Sequence, residues 1–457
     1  MRNHPETADA GRASGDTGNR SAQRPNIVLI LADDLGYADL GCYGNEAVAT
    51  PHLDRLAAHG MRFTDFHANG PMCSPTRAAL LTGRYQQRTG IDNVGDVMRE
   101  DEIVIARRLR EEAGYACGMF GKWHVSGHDR APEDYRERLP TRYGFAEFRG
   151  IMGGFIDPVG HRNARGQHDW WHNEELVQED GYATRLLTEH AVRFIRRHRD
   201  RPFFVYLPLT DIHFPWMTPE DEPYFEAGEW YPDPGDPAHS RLGPYDGSDE
   251  VQAVVHRMVR EVDRCTGRIV ETLQDLRLAQ NTLVFFTSDN GGYIHYRETN
   301  RNRISNMGPY RSQKGSLYEG GHRVPAIAWQ PGAVAPGTVC RQAVMTHDLF
   351  PTMLQLARLD PPPPDSPHAL DGHSLVALLR DGTRLPNRPL FWAFKDQRAV
   401  RQGDWKLFRL GKNKPELYNL RDDPGETANV ADKHPETVKR LLQAITDWEA
   451  TLRPTPA

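Results

Sequence analysis

The chain has 457 residues, 38% of them hydrophobic, and a formal net charge of −6. That length buries a large core, enough for one big α/β domain and a small appendage. The acidic balance argues against general nucleic-acid or membrane-surface binding, which needs a basic surface. Cys42, Cys73, Cys117, Cys265 and Cys340 are odd in number and widely spaced, so they suggest neither a disulfide framework nor a zinc site. No apolar run approaches the ~20 residues that cross a bilayer. Residues 1–24 are polar and lack the apolar middle of a signal peptide, which predicts a disordered leader. The protein is then either cytoplasmic or lacks its original export sequence.

In chain order, residues 26–32 form a continuous apolar run, the mark of a strand buried on both faces, and it ends in Asp33-Asp34. A helix opening at Pro51 carries Leu53, Leu56 and Ala57 and closes at Gly60. Next comes Cys73-Ser74-Pro75-Thr76-Arg77. Ser74 suits a cap, Pro75 the first helical position and Gly83 the stop, which predicts a helix over 75–82. Cys73 then sits at a positive helix mouth, with Arg77 one turn in. Such a cysteine is either a thiolate nucleophile of lowered pKa or a half-buried residue before an ordinary helix.

A helix over 101–112 leads to a strand over 115–120 and then to Lys122 and His124. Between 155 and 175, His168, Trp170 and Trp171 suggest either a sugar-binding wall or plain packing. A helix over 183–197 and a strand over 202–207 precede His213. A long stripe from Val251 to Ile269 marks another helix, with Cys265 on its apolar face, and the strand over 282–286 runs into Asp289-Asn290. A Gly-rich loop then brings Lys314, followed by a strand over 324–329. Beyond a proline run at 361–364 the pattern shortens to four strands and one helix. This divides the chain into a catalytic domain over 25–385 and an α+β subdomain over 386–457, with an antiparallel sheet.

Alternating strands and helices predict a mostly parallel sheet sandwiched by helices, with ligands gathered beyond the carboxyl ends of the strands. That rule places Asp33, Asp34, Lys122, His124, His213, Asp289 and Asn290 on one rim. Three carboxylates and an amide make an all-oxygen set suited to a hard divalent cation. Taken singly, Asp-Asp is also a common cap and Asp-Asn-Gly a common turn.

Cys73-x-Pro75-x-Arg77 followed by Leu80-Leu81-Thr82-Gly83-Arg84 resembles the signature of the type I, formylglycine-dependent sulfatases of the alkaline phosphatase-like superfamily. The resemblance covers most of 25–330. It extends more loosely through Arg401-x-x-x-Trp405-Lys406-Leu407 and Glu416-Leu417-Tyr418-Asn419-Leu420, and no expected active-site position is missing.

It implies that a maturation enzyme converts Cys73 to Cα-formylglycine, whose hydrate attacks sulfur. Asp33, Asp34, Asp289, Asn290 and residue 73 would hold the metal, calcium rather than magnesium. Arg77, Lys122 and Lys314 would offset charge, His213 would be the general acid helped by Lys314, and His124 would take a proton as sulfate leaves. The implied activity is hydrolysis of a sulfated carbohydrate or an aryl sulfate. The alternatives are a phosphonate monoester or phosphodiester hydrolase of the same superfamily, and a silent binding protein that keeps the metal as a clip.

Overall fold

Strand β1 (Asn26–Ala32) has no polar face to offer water, so it fits only a sheet covered on both sides, and all seven of its residues are buried. In the computed structural model, which describes residues 24–127, 131–229, 243–246, 248–296 and 304–452, β1 lies inside an 11-stranded sheet. The leader expected over 1–24 falls outside the described residues except for residue 24. The other strands are β2 (Met61–His67), β3 (Ala116–Lys122), β4 (Glu147–Ile151), β5 (Trp171–His172), β6 (Glu175–Leu176), β7 (Phe203–Pro208), β8 (Thr282–Ser288), β9 (Arg323–Trp329), β10 (Thr338–Cys340) and β11 (Val344–Met345). Their order is β10-β2-β9-β8-β1-β7-β3-β4-β5-β6, and β11 also pairs with β2.

The helices are α1 (Pro51–Ala58), α2 (Cys73–Thr82), α3 (Ile105–Ala113), α4 (Ala183–Arg197), α5 (Val251–Asp275), α6 (Glu319–His322), α7 (Leu349–Leu356), α8 (Val376–Asp381) and α9 (Pro435–Leu452). Alternation along β1 sorts its side chains between two cores. Ile27, Leu29 and Leu31 join the one covered by α2, α3, α7 and α8, whereas Val28, Ile30 and Ala32 join the one covered by α1, α4 and α5. Cys117 and Cys265 are buried in these two cores as small hydrophobes. Among the described residues, no helix is long and apolar enough to cross a membrane.

The sheet is mostly parallel, as expected, but mixed. Strand β9 runs antiparallel to both β8 and β2. The reason is local: the chain leaving β8 stays on the same rim until it enters β9, so β9 must return in the opposite direction. Strand β2 has no counterpart in the sequence reading because Arg62, Thr64 and Asp65 interrupt its apolar pattern. Arg323 and Arg401 take up the Asp65 carboxylate, which lets the strand sit inside.

A second sheet, β12 (Leu390–Phe394), β13 (Gln397–Gln402), β14 (Trp405–Leu410) and β15 (Glu416–Asn419), is antiparallel in chain order. Helix α9 covers it with Leu441, Ile445 and Trp448. Tyr85, Leu317 and Met345 of the larger body belong to the same core, so the two sheets share packing beside the rim.

Candidate active site

Strands β1, β3, β7 and β8 run parallel and finish at one rim. At or just beyond their ends lie Asp33 and Asp34, Lys122 and His124, His213, and Asp289 and Asn290. Helix α2 brings Cys73 to the same place. The helix starts at Cys73 rather than Pro75, with Met72 as its extended cap and Gly83 closing it at φ 71. Ser74 therefore lies inside the first turn and does not cap it. Starting two residues early puts the Cys73 amide among the unpaired donors of the helix mouth.

The thiol differs from one sequence expectation. Cys73 is buried, and burial raises its pKa; Lys122 and Lys314 pull the other way. Desolvation outweighs the two lysines and the helix mouth, so a free thiolate is disfavoured. Its Sγ and one carboxylate oxygen each from Asp33 and Asp289 all lie within 4.8 Å of one another, as do ligand atoms of Asp33, Asp34 and His213.

Each aspartate has its own cation. Arg77 donates from Nε and Nη2 to Asp289 Oδ2 at 3.0 and 2.8 Å, and from Nη1 to the Lys122 carbonyl at 2.8 Å. Lys122 Nζ lies 2.7 Å from Asp33 Oδ2, and Lys314 Nζ 2.5 Å from Asp34 Oδ1. The Arg77 guanidinium, placed one turn into the helix, is thus turned onto Asp289 and the Lys122 carbonyl.

These pairings leave particular oxygens over. Asp33 Oδ1, Asp34 Oδ2 and Asn290 Oδ1 are buried and have no hydrogen-bond partner among the described residues. Asn290 is oriented by donating from Nδ2 to Asp34 Oδ1 at 2.7 Å, which turns its oxygen the other way. Buried oxygens left without donors are costly, at roughly 1–3 kcal/mol each, unless something electropositive meets them. Burial and then the neighbouring Asp33 push the Asp289 carboxyl upward, another sign of crowded negative charge.

His213 Nδ1 sits 2.7 Å from the Phe214 carbonyl, which can only accept, so this nitrogen carries hydrogen and Nε2 faces Asp34 Oδ2 at 3.7 Å. Burial first, then Lys314 and Lys122, hold His213 well below the ordinary imidazole value. Asp34 keeps Lys314 charged and well above the ordinary lysine value, against the opposing pull of burial. His124, two residues past β3, is buried in the left-handed conformation at φ 55.

Of the two readings of this segment, sugar-binding wall or packing, the tryptophans follow packing. Trp170 and Trp171 are 0% and 1% exposed and enter the two cores on opposite faces of the sheet. Trp170 stacks on His161 at 4.2 Å, and Trp171 Nε1 donates to Asp169 at 2.7 Å. His168 is tied by Nε2 to the Val177 carbonyl at 2.7 Å. These rings pack because two indoles bury more apolar area inside than they could cover at a surface.

Rings that do border the site were missed in sequence. Phe155 stacks on His213 at 5.5 Å and 17°, Phe214 meets Tyr296 at 4.6 Å, and Lys314 Nζ lies 5.2 Å from the Tyr293 ring centre. The available signal was Tyr293, following Asp289-Asn290 by only two glycines.

Comparison with known proteins gives the family and the fold. The family profile Sulfatase matches residues 25–359, and the profile N-sulphoglucosamine sulphohydrolase, C-terminal, matches 311–450. The chain is 35% identical to the N-acetylgalactosamine-6-sulfatase of Canis lupus familiaris, over 94% of this chain and 87% of that one. It is 33% identical to arylsulfatase A of Homo sapiens, over 92% and 87%. The crystal structure of Ps i-CgsB in complex with k-i-k-neocarrahexaose superposes with a TM-score of 0.78 at 29% identity, covering 93% of each chain. The phosphonate monoester hydrolase of Agrobacterium radiobacter shares the fold, with a TM-score of 0.65 at 22% identity over 94% of this chain and 95% of that one.

Proposed function

The chain belongs to the sulfatase family and is a sulfuric ester hydrolase of alkaline phosphatase-like fold; from that premise we propose that it acts on a sulfated carbohydrate, using Cα-formylglycine made from Cys73 and a bound divalent cation. The carbohydrate preference is supported by the relative named for N-acetylgalactosamine 6-sulfate and by the neighbour holding a neocarrahexaose. The observation that carries the reading is the meeting, on one rim, of Cys73 with three donorless buried oxygens, those of Asp33, Asp34 and Asn290.

Asp33, Asp34, Asp289, Asn290 and residue 73 would hold the cation; an all-oxygen set suits calcium or magnesium, and the family resemblance favours calcium. When bound, it supplies positive charge beside the attacking and ester oxygens, and the hydrated aldehyde of residue 73 supplies the attacking oxygen. Three aspartates balance Arg77, Lys122 and Lys314, so a divalent ion leaves the site about two charges positive. A sulfate ester monoanion is drawn in, and the charge that develops on it meets fixed cations.

The chain's own groups then divide the proton work. Lys122 and Lys314 face the sulfate. Burial and then the two lysines depress His213, and an arriving anion opposes the lysine charges; its Nε2 is the group placed to give a proton to the departing alcohol oxygen. His124 removes a proton from residue 73 so that sulfate can leave and the aldehyde reform.

The test is to produce the protein beside a formylglycine-generating enzyme, examine the peptide spanning residue 73 by mass spectrometry, and compare turnover of matched sulfate and phosphate esters. An aldehyde at 73 with sulfate preferred is expected. A strong preference for phosphate would instead make it a phosphonate or phosphodiester hydrolase. An unaltered thiol with no turnover would make it a binding protein.

A further inference from the structure

Lys314 sits between β8 and α6, where the described residues form no helix or strand, yet its ammonium must stay in register with Asp34. Beside Lys314, two of the bonds that hold this loop come from its backbone. The Lys314 N–H donates to the Gly292 carbonyl at 3.1 Å, and the Gly315 N–H to the Pro71 carbonyl at 2.9 Å.

The small sheet adds a further tie at this point, besides the bonds of Arg311 to the Tyr418 hydroxyl at 3.0 Å and the Glu426 carbonyl at 2.9 Å. Gln397, the first residue of β13, donates from Nε2 to the Gly315 carbonyl at 2.9 Å and accepts the Leu317 N–H on Oε1, also at 2.9 Å. One amide thus serves an acceptor and a donor of the loop backbone, as a neighbouring strand would. Gly315 holds φ +86, a left-handed turn that glycine adopts without strain. Leu317 is buried in the small sheet's core, so its amide lies within Gln397's reach. Further along, Lys406 of β14 bonds Glu319 at 2.9 Å, and Glu426 accepts the Glu319 N–H at 2.6 Å.

We propose that Gln397 is a positioning residue of the active site, through which the small antiparallel sheet fixes the backbone that carries Lys314. It touches neither the strand tips nor the ester; it acts on Lys314 alone. This rests on the reading of Lys314 as a group that faces the sulfate.

A double-mutant cycle tests it. Gln397→Ala should lower kcat about 10- to 100-fold, the usual penalty for a misplaced catalytic group, while KM moves less than about threefold. In a Lys314→Ala background the same substitution should change kcat less than about twofold, because the group it positions is gone. A loss of kcat equal in both backgrounds would mean that Gln397 merely supports folding, and an unchanged kcat in the single variant would remove it from the site's support. Hydrogen exchange separates this from failure of the functional reading. If the wild-type protein, with residue 73 converted, hydrolyses no sulfate ester, that reading fails. The Leu317 amide still decides the positioning claim: faster exchange in Gln397→Ala supports it, and unchanged protection overturns it.

Discussion

Two clusters of buried opposite charges lie in this molecule, one on the rim at Asp33, Asp34 and Asp289, the other where β2 and α6 meet the small sheet. In the second, Asp65 receives Arg401 on both oxygens at 2.6 and 2.7 Å. Glu319 has Lys406 at 2.9 Å and Arg323 at 3.0 Å, and Glu426 has Lys406 at 2.9 Å and the Glu319 amide at 2.6 Å. Five of the six carboxylate oxygens accept a hydrogen bond from within the protein, and the sixth, Glu426 Oε1, has the Lys406 ammonium at 2.9 Å. His67, Glu319 and His322 stand close enough to suggest a metal site, but the Lys406 ammonium is 2.9 Å from Glu319 and 3.1 Å from His322 and takes the cation's place. The rim cluster also has one cation per aspartate, yet Asp33 Oδ1 and Asp34 Oδ2 accept no hydrogen bond and lie 3.7 Å from nitrogens of Arg77 and His213, and Asn290 Oδ1 accepts none either. Proximity of acids therefore says little. What separates a ligand site from a structural network is whether the last lone pairs are satisfied.

The largest effect expected on this contrast is chemical. Cys73→Ala removes a small buried side chain, so the fold should survive with a melting temperature close to wild type, while turnover falls about 10⁴-fold or more. Substantial retained turnover would place the nucleophile elsewhere. Next comes the metal. Asp289→Asn keeps the shape but not the charge, and should lower bound divalent cation, measured by elemental analysis, together with about 10²- to 10³-fold in kcat. Glu319→Gln in the other cluster should leave metal content at the wild-type level. Equal loss of metal in both variants would erase the distinction drawn here.

The two clusters were not equally legible in the sequence. Asp33-Asp34 and Asp289-Asn290 follow continuous apolar runs, and a parallel sheet gathers strand ends whatever its exact order, so the rim could be assembled from pattern alone. The resemblance of the Cys73 stretch then supplied the chemistry. The second cluster joins Asp65, Glu319 and Lys406, residues of three separate segments whose meeting depends on β9 turning antiparallel and on the docking of the small sheet. No spacing rule announces that. Trp170 and Trp171 show the opposite failure: an aromatic pair beside histidines in a long segment looks like a recognition surface, and only the course of the chain reveals that both rings point inward.

A smaller effect probes the satisfied cluster. Lys406→Met strands the Glu319 and Glu426 carboxylates without their shared ammonium, and breaking such a buried network should cost about 3–5 kcal/mol in denaturant unfolding, with metal content preserved. A milder effect concerns pH. Burial holds His67 below the ordinary imidazole value and His322 well below it, with Lys406 adding to the depression of His322 and Arg401 to that of His67. Glu319 and Asp65 oppose burial at His67, as Glu319 does at His322, without reversing either shift. Between the unfolded value near ~6.5 and the lower folded one, the unfolded chain binds more protons, so stability falls as the solution is acidified through that window. His322→Gln removes one such proton and should flatten the stability-against-pH slope by up to ~1.4 kcal/mol per unit. An unchanged slope would mean that His322 charges within the folded network.

The smallest expected change compares two sets of rings. His168 is bonded to a backbone carbonyl, and its tryptophan neighbours are inside the cores, so His168→Ala should alter kcat/KM on a sulfated sugar by less than about twofold while costing stability of about 1 kcal/mol. Tyr293 is half-buried, and Lys314 lies over its ring. Tyr293→Leu keeps the bulk but loses the negative ring face that attracts the ammonium, so its effect should exceed that of His168→Ala and show in kcat before KM. A larger effect from His168 would mean that the segment over 155–175 reaches the substrate by a route other than its buried rings. Equal and negligible effects from both would leave the charged groups of the rim, without aromatic help, to do all the recognition.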